Sequence, residues 1–279
     1  MRNRLIGAIV TAAAILLTVS AGQALQAQQP QRGQQALQQQ RADRISGRPN
    51  LNGIWQALNS ANWNLEAHSV EAPREDLWQL GAIGAIPAGR SVVRGGTIPY
   101  LPDALKKRNE NRAKWPEADP EAKCYMLGVP RVTYHNLPFQ IFQGNGDLLM
   151  VYPFAAANRV IYMKDRSEPP VDSWMGKSSG TWEGDVLVVT TIALNEQTWL
   201  DRAGNHHSNK LKVTERFTVL GPDHIRYEAT LDDPLTYSRP WTIDMPLYRL
   251  IDRNAQLLEH KCVPFADMLL YQDLLLPKK

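Results

Sequence analysis

The stretch that decides the fold is Trp174–Phe217, which reads WMGKSSGTWEGDVLVVTT (174–191), then LNEQTWLDRAG (194–204) and NHHSNKLKVTERF (205–217). Its first part predicts a β-hairpin, because two runs rich in Thr, Trp and Val meet at Glu183-Gly184, where glycine permits a tight turn. The run Val186–Val189 is apolar at every position, so we expect that strand to be covered on both faces.

The end of this stretch places a carboxylate among apolar side chains. A strand alternates its side chains between two faces, so Glu215 shares one face with Leu211, Val213, Phe217 and Val219. If Leu220 pairs with His224 across the Gly221-Pro222-Asp223 turn, Glu215 lies opposite the small Ala229, which would leave room beside it for a ligand.

Strand patterns continue on both sides of this stretch. Turn residues separate short runs of alternating hydrophobicity, which is typical of an antiparallel meander. A meander can close into a barrel or fold as a sandwich, and we expect the barrel because it closes on neighbouring strands alone. The predicted strands are Leu51–Gln56, Phe139–Gln143, Leu148–Tyr152, Arg159–Met163, the central hairpin, Leu211–Val219, Ile225–Asp232, Trp241–Leu247 and Leu257–Val263.

The region before Arg131 is irregular. From Asn59 onward it is rich in Pro and Gly, with one helix predicted over Ala104–Trp115 between Pro102 and Pro116. We interpret it as an arm that wraps the barrel or covers its mouth. The Gly53-Ile54-Trp55 start of the first strand resembles the opening of lipocalins, which implies a lipocalin-like barrel with the tryptophan at one end. The predicted fold class is therefore all-β.

The N-terminus has the features of a secretory signal peptide over residues 1–27: Arg2 and Arg4, an apolar run from Leu5 to Val19, and small residues up to Ala27. An uncleaved anchor is the alternative. Residues 28–49 are Gln-rich and predicted to be disordered, which leaves residues 50–279 as one barrel domain. We expect a periplasmic or secreted protein with no membrane span after cleavage.

Charge and cysteine content narrow the choice of partners. Removing Arg2 and Arg4 leaves 29 basic and 28 acidic residues, and no basic stripe interleaved with aromatics points to nucleic acid. The two cysteines, Cys124 and Cys262, would most simply pair with each other in an oxidising compartment, whereas two separately buried thiols are the alternative. The oligomeric state stays open.

The motifs WMGKSSGTWEGDVLVVTT, TWLDRAG, HSNKLKVTERF and DDPLTYSRPWT resemble a large group of uncharacterised exported soil-bacterial proteins. The resemblance covers nearly the whole mature domain and implies a shared fold and site, but it supplies no chemistry. That group has His where this chain has Lys177, and Pro where this chain has His206. These departures count against both residues as essential groups and leave His207 as the matching histidine.

Three residues are candidates for acid–base catalysis. Glu215 would be costly to bury as an unpaired ion, so it either exchanges protons in a site or forms a structural pair with an inward arginine. His207 lies in a long polar loop near Asp201, and an Asp that orients a His is a recurrent catalytic arrangement. A solvated loop histidine is the alternative.

Further residues could line a ligand pocket. Arg131 could hold an anionic group, with His135 nearby, and the aromatic side chains could equally be ordinary core. No HxH, HExxH or nucleotide-binding motif occurs, so neither a metal nor a cofactor is predicted. The candidate ligand-binding residues are Arg131, His135, Trp199, Tyr227, Tyr237 and Trp241.

These observations favour an exported barrel that holds a small apolar or aromatic molecule. It could be a cofactor-free acid–base enzyme, such as a lyase, isomerase or hydrolase. A non-catalytic binding or carrier protein with the same pocket is the alternative, and a structural envelope protein is a third. Both of the first two need a pocket with few polar groups, so sequence alone does not separate them.

Overall fold

Nine strands close into a barrel in the computed structural model, which describes residues 43–72, 75 and 85–266. The barrel belongs to a unit that begins at Arg44. The predicted all-β barrel is therefore confirmed, whereas the predicted signal peptide lies outside the described residues. The elements are β1 (Arg44–Ile45), β2 (Arg48–Pro49), β3 (Gly53–Gln56), α1 (Pro102–Ala113), α2 (Arg131–Tyr134), β4 (Phe139–Phe142), β5 (Leu148–Val151), a 3-10 turn (Phe154–Ala156), β6 (Asn158–Tyr162), β7 (Lys177–Glu183), β8 (Val186–Ile192), β9 (Lys212–Gly221), β10 (His224–Asp232) and β11 (Trp241–Arg249).

The central hairpin forms where the sequence predicts it. Strands β7 and β8 pair from Lys177–Ile192 to Glu183–Val186, and Gly184 turns the chain with a φ of +60°. The β8 residues Leu187 to Val189 are all buried, as expected for a strand covered on both faces.

The register of β9 and β10 puts Glu215 opposite Ala229, as predicted. The turn itself differs, because Gly221 pairs with His224 and the register shifts between His224 and Ile225. This irregularity places Leu220 outside the ladder, where it is 62% exposed. The shift absorbs one residue at the turn, so the pairing at Glu215 is unaffected.

One junction in the barrel is parallel. All other neighbours are antiparallel, but β6 and β7 run in the same direction and share only the Ile161–Ser178 and Tyr162–Ser179 pairs. The connection over residues 163–176 returns the chain before β7 begins. The predicted antiparallel meander therefore holds everywhere in the barrel except at this seam.

The barrel closes between its first and last strands, and the arm completes the wall there. Strand β3 pairs with only Tyr248 and Arg249 of β11. Farther along β11, the arm takes over, with Asp244 N–H donating to Val92 at 2.9 Å and Arg94 N–H donating to Thr242 at 2.8 Å. The predicted arm thus packs along the barrel wall.

The C-terminal part of the prediction needs one correction. The segment Leu257–Val263 is not a strand, because its apolar residues come in pairs instead of alternating and β11 is already paired with β3 on that side. Cys262 in this segment does form the predicted disulfide with Cys124, with a Cα–Cα distance of 5.7 Å. The predicted helix also starts two residues earlier, at Pro102, and ends at Ala113.

A short hairpin precedes the barrel. Strands β1 and β2 pair over four residues within the segment 28–49 that the sequence predicts to be disordered. Arg44 binds Asp185 at 2.5 Å, and Arg48 donates to the carbonyl of Gly184 at 2.7 Å. The ordered chain therefore reaches the β7–β8 turn before residue 50, while residues before Asp43 lie outside the described part.

Candidate functional site

Glu215 lies in the barrel interior, fully buried, in an ion pair with Arg159. Arg159 Nη1 donates to Glu215 Oε1 at 3.1 Å, and the Tyr227 hydroxyl donates to the same oxygen at 2.9 Å. Arg159 Nη2 donates to the other carboxylate oxygen. The inward arginine that the sequence left open as an alternative is therefore present, and it binds the Glu215 carboxylate directly.

Two further hydrogen bonds hold Arg159. Its Nε donates to Ser178 Oγ at 2.6 Å, and its Nη2 donates to Thr191 Oγ1 at 2.7 Å. Two hydroxyls and one carboxylate thus accept from one guanidinium in the barrel interior, and the carboxylate also accepts from the Tyr227 phenol. Such complete hydrogen bonding is what allows a charged pair to be buried.

His207 and Asp201, predicted as a pair, belong to separate networks. The Nδ1–H group of His207 donates to the carbonyl of Ser208 at 2.8 Å, so its Nε2 accepts from Thr198 Oγ1 at 2.6 Å. Burial lowers the pKa of His207, which keeps the ring neutral near pH 7. The lone pair that a general base would use is already bound to Thr198.

Asp201 organises the loop around itself. Its carboxylate accepts backbone N–H groups from Leu65 at 2.9 Å and Ala203 at 2.9 Å, and the side-chain amide of Asn205 at 2.6 Å. Burial raises the pKa of Asp201 to about 6, although these hydrogen bonds oppose the shift. The carboxylate therefore joins the arm to the loop that contains TWLDRAG.

The predicted aromatic residues form packed contacts. Tyr227 packs against Phe217 with ring centroids 5.2 Å apart and the ring planes tilted by 52°, and Tyr237 meets Trp241 edge-on at 5.4 Å. The Tyr237 hydroxyl donates to the carbonyl of His206 at 2.7 Å. Trp199 is also buried. These side chains fill space in the core, which is the alternative that the sequence left open for them.

Arg131 and His135 do come together, through Glu121. Arg131 is fully buried, donates to Asp119 at 2.9 Å and also pairs with Glu121. His135 Nε2 lies 3.1 Å from Glu121 Oε1, and burial lowers its pKa, so the neutral ring donates to this oxygen. Arg202 adds two hydrogen bonds to Glu121, at 2.9 and 2.6 Å.

This buried group, which we call the Glu121 cluster, is electrically balanced. It contains the guanidinium groups of Arg131 and Arg202 and the carboxylates of Asp119 and Glu121. Burial alone would raise the pKa of Glu121, but the two guanidinium groups hold it well below its usual range. Arg131 thus has its charge satisfied inside the protein, and Arg202 is the member of the cluster that reaches a surface cleft.

That cleft, the Trp63 cleft, lies between the arm, the end of α1 and the Asp201 loop. It has a volume of about 150 Å³. The Trp63 and Trp115 rings lie 6.0 Å apart, and the guanidinium of Arg202 sits 4.2 Å from the Trp63 ring centre. The lining residues are Trp63, Asn64, His68, Glu71, Ala72, Ile86, Arg112, Trp115, Arg202 and Ala203.

Close packing fixes the shape of the Trp63 cleft. Gly204 adopts a φ of +82°, and a Cβ atom there would lie 2.6 Å from the backbone nitrogen of Arg112. The Asp201 loop therefore rests directly on the backbone of α1, which only glycine permits. Asp201 and Gly204 together hold one wall of the cleft against the helix.

A second depression, the seam groove, lies where β6 and β7 separate. It is larger, at about 470 Å³, and its lining includes Arg159 and Ser178 from the barrel interior. Lys177 Nζ binds Asp165 at 2.6 Å and Ser167 at 2.6 Å beside it. The groove is mostly polar and charged at its rim, whereas the Trp63 cleft has aromatic walls.

Sequence reasoning missed the residues that line the Trp63 cleft. Trp63 and Glu71 lie in the irregular arm, where no periodicity assigns a face. Arg202 stands next to Asp201 in a motif that the sequence did single out, and it carries the contact between the cleft and the Glu121 cluster. Its neighbour Asp201 was predicted as a site residue because an aspartate beside a histidine is a recurrent catalytic arrangement.

Within the described residues, no group of three or more His, Cys, Asp or Glu side chains is placed to hold a metal ion. The protein is a disulfide-bonded nine-stranded barrel with an aromatic surface cleft and a buried ion pair. No protein family, curated protein or solved structure matches this chain.

Proposed function

We propose that this chain is an exported, non-catalytic binding protein that holds a small aromatic molecule in the Trp63 cleft. The observation that carries the proposal is the pair of indole rings 6.0 Å apart in a cleft of about 150 Å³. A cavity of roughly this volume accommodates one benzene-sized ring. Export agrees with the signal-like N-terminus and with the Cys124–Cys262 disulfide.

The cleft has the preorganisation that affinity requires. Arg202 is held by two hydrogen bonds to Glu121 while its guanidinium covers one face of Trp63. The Trp63 ring is therefore fixed before any ligand arrives, so binding loses little side-chain entropy. A ligand ring would pack against the Trp115 side of the cleft, since aromatic pairs prefer tilted or offset contacts.

Binding is favoured over acid–base catalysis by the state of the predicted catalytic groups. Glu215, His207 and Asp201 each have their acceptor atoms engaged in a different hydrogen-bond network. A general acid or base must lie within hydrogen-bond reach of the proton that it transfers, and these three groups do not share one site. The resemblance to exported soil-bacterial proteins implies a shared fold and site, and this stays a prediction that is separate from the proposal made here.

A ligand titration of Trp63→Ala tests the proposal. Truncating the ring removes one wall of the cleft, so we expect the affinity for benzene-sized ligands, measured by calorimetry on the mature chain, to fall at least tenfold. Trp182→Ala is the matched control, because Trp182 lies on β7 beneath Arg48, away from the lining residues. Equal binding by both variants and the unmodified protein would contradict the proposal.

A further inference from the structure

The Arg112–Glu71 ion pair at the mouth of the Trp63 cleft bears on the charge of the ligand. Both residues line the cleft, and their side chains are 37% and 42% exposed. The other cleft arginine, Arg202, is engaged by Glu121 behind it. Arg112–Glu71 is thus an ion pair of the cleft whose partner can be replaced by a charged ligand from solvent.

The two partners of this pair are held very differently. Arg112 belongs to the last turn of α1, where the helix dipole favours a cation, and its backbone contacts Gly204 closely. Glu71 lies in the arm, held to the chain opposite by the Glu71–Ile86 and His68–Gly89 bridges. A ligand that competes for this pair therefore needs to move only the Glu71 side chain, which is 42% exposed, into water.

Charge also distinguishes the possible ligands at the aromatic wall. The Trp63 ring already has the Arg202 guanidinium 4.2 Å from its centre, so its cation-binding face is taken. A cationic ligand would find this face of the ring already occupied by the Arg202 guanidinium. A carboxylate would instead replace Glu71 on Arg112, whose planar fork binds carboxylates with two parallel hydrogen bonds.

We infer that the ligand class is aromatic carboxylates, with the ring in the Trp63 cleft and the carboxylate on Arg112 in place of Glu71. This inference rests on the proposed function. It makes Arg112 the residue that selects charge, and it makes Glu71 an internal competitor that occupies the same guanidinium when no ligand is bound. The anion-holding role that the sequence suggested for Arg131 thus passes to Arg112.

The test compares benzoate with benzamide, a neutral probe of nearly the same shape, by calorimetry on the mature chain. We expect benzoate to bind the unmodified protein at least tenfold more tightly. Arg112→Gln should bring benzoate down to the benzamide level and leave benzamide unchanged. Glu71→Gln should raise benzoate affinity about fivefold, because the competitor has lost its charge, and again leave benzamide unchanged.

Arg216→Gln is the matched control. Arg216 pairs with Glu183 at 2.8 Å on the barrel exterior, with side chains exposed to a similar degree, at 40% and 55%. Arg216→Gln should change neither the affinity for benzoate nor the affinity for benzamide. An unchanged melting temperature shows that each variant is folded.

The outcomes separate the two proposals. Equal binding of benzoate and benzamide, with no effect of Arg112→Gln or Glu71→Gln, would overturn the ligand class while leaving an aromatic site. Loss of both probes in Arg112→Gln would also overturn it, because the arginine would then not be selecting charge. Failure of both probes to bind the unmodified protein would overturn the proposed function itself.

Discussion

The contacts of Glu215 explain why this carboxylate can be buried in the barrel interior. Its charge is balanced by Arg159, and the surrounding hydroxyls of Tyr227, Ser178 and Thr191 complete the hydrogen bonding. Burying such a pair contributes little net stability, but removing one partner leaves an unpaired charge in the interior. Glu215 and Arg159 therefore contribute to stability together, as one ion pair.

Glu215→Gln should lower the free energy of unfolding by about 3 to 5 kcal/mol, because it leaves the Arg159 guanidinium buried without its counter-ion. Urea unfolding followed by tryptophan fluorescence measures this change. Glu228→Gln is the control on the outer face, where Glu228 pairs with the half-exposed Arg94 at 2.5 Å, and it should cost less than 1 kcal/mol.

The double variant Arg159→Met/Glu215→Leu sharpens this prediction. Both charges disappear together, so the loss should be smaller than the sum of the single losses. Unchanged stability in Glu215→Gln, combined with loss of ligand binding or conversion, would instead return Glu215 to the catalytic role that its position first suggested.

The sequence could predict the burial of Glu215 but not its partner. Strand β9 alternates cleanly, so the face of Glu215 and its position opposite Ala229 follow from period and turn. Strand β6 does not alternate in the same way. Val160 and Tyr162 are as apolar as Ile161, so hydrophobicity does not say whether Arg159 points inward.

The Asp201 loop is an element whose stability depends on protonation. Burial raises the pKa of Asp201 to about 6, whereas an unfolded aspartate has a pKa near 3.9. Between these values the folded state binds more protons than the unfolded state. The contribution of Asp201 therefore stabilises the protein as the pH falls from 7 toward 4, and it is lost as the pH rises through 6.

We expect this contribution to reach about 2 to 3 kcal/mol across that window, seen as a difference in pH profile between the unmodified protein and Asp201→Asn. Urea unfolding at several pH values measures it. Asp185→Asn is the control, because Arg44 holds the pKa of Asp185 below its usual value and that group stays ionised across this range. Parallel profiles for the unmodified protein and Asp201→Asn would contradict the prediction.

Elements with a clear period, or with turn or capping residues on both sides, were predicted, and the isolated bridges of the arm, which have neither, were not. The hairpins β4–β5, β7–β8 and β9–β10 all fall where alternation and turn residues placed them. The arm lacks a period because its backbone pairs in isolated bridges, such as Val93–Ile243 and Tyr100–Tyr237. The Trp63 cleft is built largely from this arm, so its location could not follow from pattern alone.

At the scale of the whole molecule, the disulfide ties the C-terminal segment to the arm. Cys124 and Cys262 are 138 residues apart, and Phe265 N–H donates to Ala122 at 2.9 Å close by. The described residues after β11 form no strand, so this segment depends on the bond and on contacts such as His260 with Phe154. Each barrel strand is hydrogen-bonded to a strand on either side, whereas the described part of this segment has no such pairing.

Replacing both cysteines, in Cys124→Ser/Cys262→Ser, should lower the free energy of unfolding by about 4 to 5 kcal/mol, the chain-entropy value for so long a loop. Thermal unfolding with and without a reducing agent measures it, and the double variant should be insensitive to the reducing agent. A melting temperature equal to that of the oxidised protein would mean that the C-terminal segment docks without its covalent link.

The number of strands in the barrel has a consequence of parity. Directions that alternate around a closed ring require an even number of members, and this ring has nine. At least one pair of neighbours must therefore point the same way, and here that pair is β6 and β7. No choice of side chains can remove this mismatch; only the gain or loss of a whole strand can. Any sequence that folds into a nine-stranded ring must therefore contain at least one parallel pair, and in this protein the seam groove lies beside that pair.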